Sequence, residues 1–186
     1  AELYRANAIE TADTVALRAD TNEGVEVFFA MSHCTEENVD PVYVVRGEGG
    51  EIELDYDGSA RVRLVDGTEL EWASTESEPQ VLQNVVKAAA GQSGLCCPLA
   101  LTRAQTLCAC GSFESSPIRT LPEAVCRTQA GGQRIVDGMS GLVRRAWSEG
   151  KLFSELGVGW AVPGEKIDLK DYAYFPSFRR EIGYTE

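Results

Sequence analysis

The sequence is poor in histidine and lysine, and it has no long apolar run. Its single histidine, His33, excludes a metal site built from two histidines of this chain. No stretch approaches the roughly 20 apolar residues of a membrane-spanning helix. The formal net charge is −12 with only four lysines, which argues against nucleic-acid phosphates as a ligand. No basic-then-apolar leader opens the sequence, so we predict a cytoplasmic protein with neither a nucleic-acid nor a membrane partner.

Motifs for nucleotide binding and nucleophilic catalysis are also missing. The glycines of "GEGGEI" fall between two predicted strands, and "GVGWAVPG" (157–164) lacks the G-x-G-x-x-G spacing of a dinucleotide loop. No serine has the G-x-S-x-G context of a nucleophile elbow. Carboxylates recur at spacing two, which predicts one solvated face of a strand: Glu51, Glu53, Asp55 and Asp57. The residues alone therefore show no complete active site.

Cysteine is more frequent, with four of six in "LCCPLALTRAQTLCAC" (95–110). The spacings Cys96-Cys97 and Cys108-x-Cys110 differ from the C-x₂₋₄-C pairs of zinc sites. On a helix Cys108 and Cys110 point about 200° apart, and Cys97 lies ~16 Å along the axis from Cys108. A disulfide needs Cα atoms within ~7 Å. We predict six reduced thiols that serve as small apolar side chains in a reducing compartment, with no bound metal.

The first 75 residues have the alternation and tight turns of an antiparallel meander. Asp57-Gly58 and Asp66-Gly67 mark turns that are too short for a parallel crossover. Apolar residues alternate with polar ones in most of the predicted strands. One strand is apolar on both faces, so its core-facing parity stays open between two rows: Val25–Val27–Phe29–Met31 and Phe28–Ala30.

Helices follow the strands. The first has Ser77 and Gln80 as a capping box, with Pro79 in its first turn and Gly91 as its stop. A second covers "LALTRAQTLCACGSFES" and predicts one apolar face: Leu101, Ala104, Leu107, Cys108 and Gly111. "LPEAVCRT" predicts a short helical piece.

"SGLVRRAWSEGKLF" predicts a last helix, with Ser140 as its cap and Gly150 near its end. The tail contains four aromatic residues among charges, which favours a strap on a surface: Tyr172, Tyr174, Phe175 and Phe178.

Strands followed by helices predict an α+β fold, an open-faced and mainly antiparallel β-sheet with helices packed on one face. We divide the chain into a sheet-plus-helices domain (1–160) and a C-terminal strap (161–186). The other face of the sheet carries apolar side chains, so we expect another domain or subunit to cover it. We therefore predict at least a dimer.

Three phrases carry a resemblance: "YRANAIETADTVALRADTNEGVEVFFAMSHCTEE", "CPLALTRAQTLCACGSFESSPIRTLPE" and "LVRRAWSEGKLFSELGVGWA". With the order of elements, they resemble the C-terminal domain of the glucose–fructose oxidoreductase / inositol dehydrogenase / MocA family over most of residues 1–160. The resemblance implies an N-terminal Rossmann domain that lies outside this chain. It also implies NAD or NADP in the full-length protein, a sugar, polyol or related substrate, and homo-oligomers built through the sheet face.

The family's catalytic residues do not map onto this sequence. The dinucleotide loop is absent, and Glu165-Lys166 is followed by Ile167 rather than by the proline of the family's Glu-Lys-Pro motif. We therefore assign no catalytic and no cofactor-binding residue. The alternatives are a non-enzymatic binding or oligomerisation module that uses the same sheet, and a cysteine-based redox or metal protein.

Two residues are candidates for facing the substrate. His33 ends the most apolar strand, just before "TEENVD", and it could instead be structural. Arg119 follows the helix end at "ESSPIR" and could pair with an anionic or hydroxyl-rich ligand. The alternative for Arg119 is a salt bridge to Glu114 or Glu123.

Overall fold

The computed structural model describes residues 1–74, 80–173 and 175. Within them, ten strands and three α-helices form mainly antiparallel, open sheets, which confirms the predicted α+β fold class. The chain forms two compact units. We call them the core unit (Ala1–Glu37 with Leu99–Glu186) and the meander unit (Asn38–Pro98).

The strands divide between two four-stranded sheets and a hairpin rather than forming one meander. In chain order they are β1 (Glu2–Arg5), β2 (Thr14–Asp20), β3 (Glu26–Ser32), β4 (Val42–Gly47), β5 (Gly50–Asp55), β6 (Ala60–Leu64), β7 (Glu69–Trp72), β8 (Ile118–Thr120), β9 (Cys126–Thr128) and β10 (Arg134–Val136). The helices are α1 (Gln80–Ala89), α2 (Leu99–Ser115) and α3 (Met139–Glu149).

The core-unit sheet has the strand order β3-β2-β1-β8. Its β1–β8 pair is parallel and its other pairs are antiparallel. The face that carries the Phe28–Ala30 row also carries Tyr4 and Ala16, and these side chains belong to the buried core together with α3. The structure thus decides the parity of β3, and the Val27–Phe29–Met31 row lies on the opposite face.

Aromatic rings fill the centre of this core. Phe153 is fully buried, and its ring centroid lies 6.2 Å from that of Tyr4 and 5.8 Å from that of Trp160. The rings of Tyr4 and Trp160 meet edge to face at 4.9 Å. Such tilted and T-shaped pairs are the favoured geometries of aromatic contacts. The loop after α3 therefore closes the core over the start of β1.

The predicted α3 is confirmed and ends at Gly150, which adopts φ +61. The predicted cap is wrong, because the N-cap residue is Gly138 and Ser140 lies inside the helix. The Glu36 carboxylate instead accepts hydrogen bonds from the backbone N–H groups of Gly138 and Ser140 and from the Ser140 hydroxyl. A carboxylate is well placed there, because the free N–H groups and the helix dipole favour negative charge.

Helix α2 differs from prediction in the residues that it buries, and helix α1 is compared with prediction at its two ends. The bounds of α2 are confirmed, but Leu101 is exposed and the buried residues of this helix are Gly111, Ser112 and Ser115. The predicted cap of α1, Ser77 with Pro79, lies outside the described residues. Its predicted stop is confirmed, because the chain reverses at Gly91 with φ +71.

The segment "LPEAVCRT" is only briefly helical. A 3₁₀ turn at Glu123–Val125 leads directly into β9, which pairs with β10. So few residues cannot offset the cost of nucleating a helix, and the β9–β10 ladder satisfies their backbone groups instead.

The tail runs along α2. The Ser115 hydroxyl donates to the Glu165 carbonyl, Leu169 lies against Gly111, and the Tyr172 hydroxyl donates to Glu114 at 2.8 Å. Further along, the rings of Phe113 and Phe175 lie 5.9 Å apart. Two of the aromatic residues predicted to hold the strap, Tyr174 and Phe178, lie outside the described residues.

Candidate functional site

A row of polar side chains crosses the core-unit sheet on its buried face. The register places four residues side by side: Ser32, Thr14, Tyr4 and Arg119. Aligned side chains point to the same face of a sheet. The hydroxyls of Thr14 and Ser32 lie 2.7 Å apart, within hydrogen-bonding distance. Polar groups therefore extend from one edge strand to the other.

The centre of the row is a buried phenol–carboxylate pair. The Tyr4 hydroxyl donates to Glu2 at 3.2 Å and accepts the Val162 N–H at 2.9 Å. Glu2 is itself fully buried and also accepts hydrogen bonds from the backbone N–H and hydroxyl of Ser154. Burial raises the pKa of Tyr4, and the nearby Glu2 charge adds to this. The phenol therefore stays protonated, and the hydrogen bonds of Tyr4 and Glu2 hold the loop after α3 in place.

Sequence reasoning did not single out Glu2 and Tyr4. The signal was present in "ELYR", because residues two apart in a strand share a face. A glutamate placed beside a core tyrosine on that face must find donors, since a buried charge without hydrogen bonds is strongly destabilising. Those donors come from Ser154, which lies more than 150 positions after Glu2, and no pattern near Glu2 indicates them.

Arg119 lies in β8 beside Tyr4 and is half-buried. Its Nε atom is buried and has no hydrogen-bond partner in the structure. Neither of the alternative salt bridges forms, because Glu114 accepts from Tyr172 and Glu123 pairs with Arg134. Arg119 thus carries a positive charge that no carboxylate of the described residues neutralises within ion-pair distance.

His33 is the residue after Ser32, which ends the row at β3, and it is not itself a member of the row. It follows β3, its side chain is exposed, and its backbone N–H donates to the Asp13 carbonyl at 2.8 Å. Three strand spacings of about 4.8 Å separate Ser32 from Arg119, so the two ends of the row are roughly 14 Å apart. The structure therefore does not bring His33 and Arg119 into one compact cluster.

All six cysteines are unpaired thiols. Cys34 is buried, accepts a hydrogen bond from the Asn7 amide at 3.3 Å, and has its pKa raised to about 12 by burial and by the nearby Asp13. Cys96 and Cys97 are exposed. No group of three or more potential metal ligands occurs in the part of the chain that the structure describes.

Both large sheets have apolar side chains that are open to solvent. In the core unit, the face opposite the core is covered at β1, where Leu3 is 2% exposed, and open at β3, where Val27 and Phe29 are 43% and 45% exposed. In the meander unit, the register gathers apolar side chains on one face: Tyr43, Val45, Ile52, Leu54, Val62, Leu70 and Trp72. Most of these are exposed, Tyr43 to 60% and Trp72 to 52%.

The opposite face of the meander unit is a ladder of cross-strand ion pairs. Arg61 contacts Glu53 at 2.7 Å and Glu71 at 3.3 Å, one on each neighbouring strand. The next row contains Arg46, Glu51, Arg63 and Glu69, with contacts of 2.7 to 3.6 Å. Of the predicted carboxylate row, Glu51 and Glu53 are therefore paired with arginines on a strand face, whereas Asp55 and Asp57 accept hydrogen bonds from Ser59 at the end of β5.

No protein-family model matches this chain, and no curated protein or solved structure matches it either. Among the described residues, no helix is both long enough and apolar enough to cross a membrane. The geometry of the sheets and of the Arg119 region is therefore what bears on function.

Proposed function

We propose that this chain is the substrate-side and oligomerisation domain of a cytoplasmic NAD(P)-dependent oxidoreductase that acts on a sugar, polyol or related substrate. The observation that carries the proposal is the apolar surface left open at β3 of the core-unit sheet, where Val27 and Phe29 need a partner surface. The resemblance to the glucose–fructose oxidoreductase / inositol dehydrogenase / MocA family supplies the reaction class. A Rossmann domain of the same protein would bind the cofactor.

Two features of the described residues do not fit a dinucleotide. The glycine-rich turn at Gly47–Gly50 joins two antiparallel strands rather than opening a helix. The N-terminus of α3, where a phosphate could otherwise bind, is already occupied by the Glu36 carboxylate. We therefore expect no saturable heat when the isolated chain is titrated with NAD or NADP, and micromolar binding of either would contradict the proposal.

In this proposal the chain binds and shields the substrate. Hydride transfer requires the nicotinamide ring and the substrate carbon to be in contact and screened from water, and the cofactor supplies the redox chemistry. The candidates for facing the substrate are His33 and Arg119, which lie at opposite edges of the core-unit sheet. In the full-length enzyme we expect His33→Ala and Arg119→Ala to raise KM or lower kcat, and unchanged kinetics for both would remove them from the site.

The proposed homo-oligomer uses the apolar surface left open at β3 of the core-unit sheet. Substitutions at two adjacent phenylalanines distinguish an effect on association from an effect on folding, because Phe28 packs against the core and Phe29 is exposed. We expect Phe29→Asp to give a folded monomer and Phe28→Asp to unfold the core unit. Light scattering and circular dichroism measure both effects. A monodisperse wild-type monomer at micromolar concentration would contradict the proposal.

A non-enzymatic binding or oligomerisation module is the second candidate, and the exposed apolar face of the meander unit favours it. The upstream reading frame separates the two candidates. About 150 residues with a glycine-rich βαβ opening ahead of Ala1 would support the oxidoreductase, since that is the usual form of a dinucleotide-binding half. A natural start at this point would support the module.

A further inference from the structure

Arg119 is distinguished by its lack of partners. Every other arginine of the described residues forms an ion pair or donates a hydrogen bond. Arg103, for example, donates to the Tyr172 carbonyl, and Arg5 donates to Thr120 and Ile9. Arg119 does neither, and its Nε–H is shut off from solvent without an acceptor. A ligand from solvent cannot reach Nε, but the Nη groups of this half-buried side chain are not shut off and also lack a partner among the described residues, so an anion can bind there.

Three acids that lie near Arg119 in the sequence or on the neighbouring strand are held by other groups. Glu2 accepts hydrogen bonds from Tyr4 and Ser154, Glu114 accepts one from Tyr172, and Glu123 pairs with Arg134. None of these carboxylates can turn to Arg119 without losing its present contacts. The chain has a net charge of −12, yet no carboxylate of the described residues lies within ion-pair distance of this cation.

We infer that Arg119 binds the oxyanion of a small ligand, a carboxylate or a phosphate. The planar guanidinium offers parallel N–H donors that match either group in a two-point contact. The assignment of this ligand to the substrate rests on the proposed function. It narrows the substrate class to a sugar or polyol derivative that carries an acid group.

Arg127 provides a control within the same unit. Its charge is neutralised by the ion pair to Asp137. Arg127→Gln therefore removes an arginine without releasing Glu114 or Glu123, the acids that could otherwise pair with Arg119. Arg119→Lys keeps the charge and removes the two-point geometry, and Arg119→Gln removes both.

The test is calorimetric titration of this chain, at constant ionic strength, with gluconate, sorbitol 6-phosphate and neutral sorbitol. We expect saturable binding of one or both anions, at least tenfold weaker binding of sorbitol, and a loss of at least tenfold in Arg119→Gln. Binding to Arg127→Gln should stay at the wild-type level, and binding to Arg119→Lys should fall between that of wild type and that of Arg119→Gln. The two anions tell a carboxylate from a phosphate ligand. Thermal unfolding without ligand verifies that each variant is folded.

Three results would overturn the inference: no saturable anion binding, equal affinity for sorbitol, or wild-type affinity in folded Arg119→Gln. The outcome is independent of the proposed function. A full-length enzyme that oxidises neutral polyols, combined with no anion binding here, would refute the inference alone. Anion binding at Arg119 in a protein without NAD(P)-dependent activity would refute the proposed function alone.

Discussion

The two units each contain a four-stranded sheet, but only the core unit buries one face of it. There the rings of Tyr4, Phe153 and Trp160 interlock beneath α3. None of the described residues of the meander unit is buried, and its strands are tied by turns, backbone pairing and the ion-pair ladder. Exposed ion pairs stabilise only weakly, whereas apolar burial is the main favourable contribution to folding. The comparison predicts that the two units respond differently to the same kind of substitution.

The largest effect should come from removing a ring from the core. We expect Phe153→Ala to lower the free energy of unfolding by about 3–5 kcal/mol, because it leaves a cavity against Tyr4 and Trp160. Trp72→Ala in the meander unit should have a much smaller effect, since half of that side chain is already in solvent. Urea unfolding at two protein concentrations measures both.

The concentration dependence sharpens this comparison. A cost for Trp72→Ala that matches Phe153→Ala and grows with protein concentration would mean that association buries the apolar face of the meander unit. A similar cost that is independent of concentration would contradict the assignment of Trp72 to an open face.

A backbone change should break the meander unit selectively. Gly50 has φ +144, and a Cβ placed there would lie 2.2 Å from the Arg63 carbonyl oxygen on β6. We expect Gly50→Ala to destabilise this unit by at least about 2 kcal/mol, because strain of that kind adds to the clash. Amide hydrogen exchange in β5 and β6 should quicken while exchange in the core unit stays unchanged.

Gly49→Ala is the control for this change, since a Cβ at Gly49 meets no atom within 4 Å. Equal exchange rates in Gly50→Ala and Gly49→Ala would show that the turn adapts without cost. Faster exchange in β1 or β2 would show that the two units unfold together.

The smallest effect should come from the cap of α3. Burial alone would raise the pKa of Glu36, but hydrogen bonds from Ser140 and Gly138 outweigh it and lower the pKa to about 2. An acid with a depressed folded-state pKa stabilises the protein fully above its unfolded value of about 4.5. That contribution is lost as the pH falls from about 4.5 towards 2.

Glu36→Gln should therefore destabilise the core unit by about 1 kcal/mol near neutral pH. The difference from wild type should shrink as the pH approaches 2, and thermal unfolding at several pH values measures it. A difference that stays constant over this range would mean that the carboxylate charge does not stabilise α3.

Local features of this fold could be predicted from the sequence. The bounds of α2, the ends of α1 and α3 at glycines, and the turns at Asp57-Gly58 and Asp66-Gly67 all follow from residues near one another. The features that could not be predicted depend on residues that are distant in the sequence. The parity of β3 could not be decided, because both of its faces are apolar and the outcome rests on α3, more than 100 residues away.

The candidate site divides in the same way. Arg119 and His33 could be chosen as candidates because each lies near the end of a predicted element. The distance between them could not be predicted, because it depends on the parallel pairing of β8 with β1. The missing salt bridges of Arg119 also depend on distant contacts. Glu114 is held by Tyr172 from the tail, and no pattern near residue 119 indicates that.

The contact between Glu36 and the first turn of α3 also bears on the order in which parts of the chain fold. Glu36 lies 102 positions before Gly138 and 104 positions before Ser140, and the whole meander unit lies between them in the sequence. The entropy lost in closing a loop grows with its length, and hairpins such as β4–β5 pair within about 1–10 μs. We therefore expect the cap to form late in folding. The hairpins of the meander unit can pair before it, because each of them closes only a short loop.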